Sequence, residues 1–68
     1  MQKETKEAVA VYLSGEGLSN EQLLLVLGFY RRLRDDLDLL GPHFFLATAE
    51  IHKHITGLER FAFYRGLK

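Results

Sequence analysis

Three histidines, His43, His52 and His54, are the residues of this 68-residue chain best suited to metal or acid–base chemistry. A bound metal needs ligands that converge on one point. On a helix, side chains two apart point about 160° away from each other, so His52 and His54 diverge, and His43 lies far earlier. Glu50 and His54 are four residues apart and can meet, which supplies at most half of a tetrahedral site. The chain contains no cysteine, so thiolate sites and disulfides are excluded. The pattern predicts surface or boundary histidines, no metal and no cofactor.

Nucleophilic chemistry finds no better footing. No serine sits beside a suitable His and Asp pair in a strained turn, and Gly15 and Gly17 lack the Lys and following Ser or Thr of a phosphate-cradling loop. These residues predict a protein that is not an enzyme, with no small-molecule substrate evident.

Arg31, Arg32 and Arg34 would suit phosphate, yet Asp35, Asp36 and Asp38 each follow one of them by four residues. Helix side chains at that spacing meet, so the expectation is a solvated, self-paired face. Cation before anion near a helix C-terminus is the less favourable order, which leaves an acidic contact surface at Asp35, Asp36 and Asp38 as a candidate. Nine basic residues balance nine acidic ones, so the excess of Lys and Arg that phosphate binding draws on is missing. The second half of the chain is mildly basic. Lys53, Arg60, Arg65 and Lys68, with Phe63 and Tyr64 as stacking groups, carry an alternative reading as a nucleic-acid-binding regulatory protein.

The elements that must position these residues follow from punctuation and periodicity. Ser14-Gly15-Glu16-Gly17 closes a short amphipathic segment, and Ser19 precedes Gln22 at capping-box spacing. Gly41-Pro42 pairs a glycine able to take a left-handed conformation with a proline suited to open the next helix. Leu23, Val26, Tyr30, Leu33, Leu37 and Leu40 form one helical stripe. A second stripe runs through Phe44, Ala47, Ile51, Ile55, Leu58 and Ala62, and a shorter one through Thr5, Ala8, Val9, Tyr12 and Leu13. No period-two alternation supports strands. The prediction is an all-α fold, a small three-helix bundle in a single domain over 1–68, with helices at about 3–14, 20–40 and 43–65. Helices 2 and 3 are long and antiparallel, and the short helix 1 lies across their groove. No helix-turn-helix fits, because two helices of about 20 residues exceed that motif.

Apolar surface remains once the stripes are assigned. Leu24, Leu25, Phe29 and Leu39 on helix 2, and Phe45, Leu46, Phe63 and Tyr64 on helix 3, lie outside them. Helix 1 and its turn can cover part of this, and Gly28 would admit a neighbouring backbone close to Leu24 and Leu25. The rest exceeds what so small a monomer hides, and aromatic anchors are typical of interfaces. The expected function is a non-catalytic protein–protein interaction module, such as a small adaptor, inhibitor or assembly subunit, that self-associates as a homodimer or docks on a larger protein. Its candidate contact residues are Leu25, Phe29, Phe45, Phe63, Tyr64, Asp35 and Asp36. The longest apolar run, Leu23 to Leu27, is far short of the roughly 20 residues that span a bilayer, and the polar start resembles no signal peptide. The expectation is no membrane and a cytoplasmic location.

Overall fold

A computed structural model describes residues 2–67. Its elements are α1 (Lys3–Leu13), α2 (Asn20–Leu40), a 3-10 turn at Pro42–Phe44 and α3 (Phe45–Tyr64), with no strand among the described residues. The chain is the expected three-helix bundle.

The helix ends follow from local chemistry. At the start of α2, Ser19 Oγ accepts from the Gln22 backbone N–H at 3.1 Å, and Gln22 Oε1 accepts from the Ser19 N–H at 3.0 Å. This reciprocal pair satisfies two of the donors a helix start leaves orphaned. Helices α1 and α3 stop in the same way. Glu16 N–H reaches back to Val11 O, and Leu67 N–H to Ala62 O, across glycines at φ 80° and 74° respectively. Leu67 then packs on the core, the apolar contact that accompanies this stop. Gly41 ends α2 with φ 96° but an extended ψ of −172°. Pro42 therefore opens a 3-10 turn rather than α3, which starts at Phe45 and not at 43.

Helix α2 is the centre of the bundle and packs against both α1 and α3. The core joins Ala8 of α1, Leu23, Val26, Leu27 and Tyr30 of α2, and Ile55, Leu58 and Ala62 of α3. Leu27 lies outside the sequence stripe and is buried all the same. A helix with neighbours on two sides needs a wider apolar arc than one stripe provides.

Helix α1 has its backbone close to α2 and meets α3 through side chains, Tyr12 with His54 among them. Two expectations need correction. Leu13, Leu40, Phe44 and Ala47, all stripe members, are exposed. Gly28 receives no neighbouring backbone, since a Cβ placed there meets nothing within 4 Å. The α2 and α3 stripe corrections, at Leu40, Phe44 and Ala47, share a cause of length. At 1.5 Å per residue, the 11 residues of α1 run roughly 16 Å and the 21 of α2 roughly 31 Å. Thr5, near the start of α1, shares a shallow groove with Leu33 and Asp36. From Leu37 onward, α2 and the facing start of α3 thus have no third helix over them.

Candidate interaction surface

The half-buried polar groups come first. All three helices meet at Tyr12, Tyr30 and His54. The Tyr12 hydroxyl and His54 Nδ1 are 2.6 Å apart, and the His54 ring stacks on Tyr30 at 5.1 Å and 17°. Tyr12 stands edge-on to both rings, 5.7 Å away from each. Burial raises the phenol pKa of Tyr12; burial, then the neighbouring Tyr12, raises that of Tyr30. His54 is thereby a boundary residue with a structural partner, while His43 and His52 are exposed. Among the described residues no three His, Cys, Asp or Glu side chains are grouped to hold a metal ion.

The charged residues pair differently from their sequence spacing. None of the three expected i,i+4 bridges forms. Arg31 reaches across to Glu59 on α3 at 3.4 Å, and Arg34 turns to its neighbour Asp35 at 3.4 Å. The first α2–α3 bridge is available because Arg31 sits on the flank of α2 nearest α3, beside Leu27 and Ala62.

The basic candidates on α3 do not converge either. Lys53 pairs with Glu50 at 3.2 Å. Arg65 donates to Leu18 O at 2.7 Å and to Asn20 Oδ1 at 3.3 Å, tying the end of α3 to the α1–α2 connection. Arg60 is exposed, and Lys68 lies outside the described residues.

The seven predicted contact residues fall in separate places. Leu25 and Phe29 are half-buried and pack on the core, Phe29 edge-on to Tyr30 at 5.3 Å. Asp36 lines a groove with Thr5 and Phe29, and Asp35 is held by Arg34. Phe63 and Tyr64 are exposed and touch each other at the far end of α3. Phe45 is also exposed, but 18 residues earlier on the helix, which is roughly 27 Å away. These aromatic residues cannot form one patch.

A different cluster emerges around Phe45. Leu39, Leu40, Phe44, Phe45 and Leu46 are all exposed at the tip where α2 turns into α3, Leu39 by 86% and Leu46 by 76%. From Leu39 to Ala49 the sequence holds no Asp, Glu, Lys or Arg. The stripe assignment hid this surface by placing Leu40 and Phe44 in the core. The signal that could have revealed it was the mismatch in helix length, since a short α1 cannot cover a hairpin twice its size.

The total accessible surface bears on the same point. The chain exposes 5192 Å². A compact monomer of its 7.8 kDa is expected to expose roughly 4,400 Å². The surplus belongs to the whole surface, on which Leu13, Phe61, Phe63 and Tyr64 are exposed as well as the tip residues.

No helix among the described residues is long and apolar enough to cross a membrane. Compared with protein-family models, curated proteins and solved structures, the chain matches none.

Proposed function

We propose that this protein is a non-catalytic protein–protein interaction module, a small helical adaptor, inhibitor or assembly subunit that works by burying apolar surface against another chain. The observation that carries the reading is the run of exposed apolar side chains at the α2–α3 tip, Leu39, Leu40, Phe44, Phe45 and Leu46. Five large apolar side chains within eight positions of sequence stand open there, and large exposed apolar patches mark interaction sites. Burial of each such side chain contributes about 1.5–3 kcal/mol, so a few of them suffice to offset the entropy lost on association.

The nucleic-acid alternative draws little from the geometry. Two of its described cations already bond within the chain, Lys53 to Glu50 and Arg65 to Leu18 and Asn20. Phosphate contact would show as an affinity that falls steeply between low and moderate salt.

Sedimentation of the purified chain over a wide concentration range, together with affinity capture using the tagged chain, tests the proposal. Association with itself or saturable binding of a defined protein is the expected result. A chain that stays monomeric and binds no protein, but shifts labelled RNA or DNA at low salt, would replace it with the alternative.

A further inference from the structure

Nothing inside the molecule accounts for Gly28. It lies within α2, has no positive φ, is exposed, and a Cβ built on it meets nothing within 4 Å. Glycine there costs the helix about 1 kcal/mol relative to alanine. What it offers is a gap where another chain can come close.

The gap belongs to an ordered face. Gly28, Phe29, Arg32 and Asp36 line one groove on α2. At about 100° per residue, Leu39 and Leu40 continue the same side of the helix, and all six residues fall within an arc of about 120°. Gly28, Arg32 and Asp36 are exposed, as are Leu39 and Leu40. Arg32 and Asp36 stand four positions apart, yet neither forms an ion pair with the other or with any described residue.

Building on the interaction-module reading, we infer that this face of α2 is the contact surface for a second copy of this chain, the two α2 helices packing antiparallel about a two-fold axis level with position 34.

The order of the features along the helix favours a copy over another protein. In that register Arg32 of each helix lies level with Asp36 of the other, Phe29 with Leu39, and Gly28 with Leu40. Gly28 and Leu39 sit toward one edge of the arc, Phe29 and Leu40 toward the other. A two-fold of this kind turns each edge toward the same edge of the second copy. Leu39 of one copy therefore enters the gap at Gly28 of the other, Leu40 meets Phe29, and Arg32 pairs with Asp36. Each contact occurs twice, as an isologous interface requires. A parallel pair would instead set Arg32 on Arg32 and Asp36 on Asp36. Any other partner must carry an apolar side chain, an acid, a base and a gap in that order and at that spacing. Helix α2 read backwards carries them as Leu39, Asp36, Arg32 and Gly28.

Sedimentation equilibrium of the full chain and of variants at exposed positions tests the inference. The parent is expected to dimerise. Gly28→Gln fills the gap and should raise the dissociation constant about tenfold or more. Glutamine is a better helix former than glycine and meets open space there, so this loss would not come from a damaged helix, and the helical circular dichroism should persist. Arg32→Asp and Asp36→Arg should each weaken the dimer by a similar factor, because each sets like charges together. An equimolar mixture of those two variants should associate again, since one chain then supplies both acids and the other both bases. Phe63→Glu, at the far end of α3, should change nothing. A dimer indifferent to Gly28→Gln, or charge variants that remain apart when mixed, overturns the α2 contact while self-association stands. A parent chain that remains monomeric throughout overturns the inference outright, and the interaction-module reading then rests on saturable binding of a different, defined protein.

Discussion

The hydroxyl of Tyr12 and Nδ1 of His54 are separated by 42 positions in sequence and by 2.6 Å in space. In the neutral tautomer that carries its proton on Nε2, the hydroxyl donates to Nδ1. This contact links α1 to α3. A half-buried hydrogen bond of this kind contributes about 0.5–1.5 kcal/mol net. Tyr12→Phe should lower unfolding stability by that amount in urea titrations. His54→Phe, which keeps a ring against Tyr30, should cost less in the Tyr12→Phe background than in the parent. Strictly additive losses would mean the two groups are not coupled.

Alkaline pH should loosen the same junction. Burial raises the pKa of both Tyr12 and Tyr30 above the ordinary phenol value. The folded form therefore holds its phenol protons more tightly than the unfolded form does. The resulting stabilisation is fully present below a pH of about 10, the unfolded phenol pKa, and is lost as pH rises through the raised folded values. Thermal midpoints recorded from neutral pH upward should fall beyond that point, in step with the appearance of tyrosinate absorbance. A Tyr12→Phe chain should show a shallower decline.

Two glycines should respond in opposite directions to alanine. Gly28 lies within α2 at an ordinary helical φ, and a Cβ there meets open space. Gly28→Ala should stabilise by about 1 kcal/mol through helix propensity, a rise of roughly 4–8 °C in Tm for a domain of this size. Gly41 holds φ at 96°, where a side chain is strained. Gly41→Ala should destabilise by about 1–3 kcal/mol. Differential scanning calorimetry of the pair checks both signs.

Packing should far outweigh the surface ion pairs. Ile55 is fully buried, and Ile55→Ala should cost about 2–5 kcal/mol. Arg31 and Glu59 stand 3.4 Å apart with roughly half of each side chain exposed. Replacing either with Ala should change stability by less than about 1 kcal/mol, diminishing further as salt increases. Chemical denaturation at two ionic strengths separates the cases.

Much of the fold is legible along the chain because its causes are local. Ser19 and Gln22 announce the start of α2 by spacing alone, and Gly41-Pro42 marks its end. The stripes correctly place Leu23, Val26, Tyr30, Ile55, Leu58 and Ala62 in the core. Periodicity, however, reports only which side of a helix is apolar. It does not report how far along the helix a neighbour extends, and so it places Leu40, Phe44 and Ala47 in an interior that ends before reaching them. Spacing likewise brought Arg31 to Asp35, whereas a glutamate on another helix lies within its reach.

Hydrogen-bond spacing and the 3.6-residue repeat act within a few positions of each residue, and they suffice for the three helices, the cap of α2 and the faces turned inward. That α1 ends short of the α2–α3 tip, that Tyr12 meets His54 and that the side chains around Phe45 stay open follow only from the packed helices. Those outcomes depend on helix lengths and on side chains far apart in the chain competing for the same space, quantities that no local window contains.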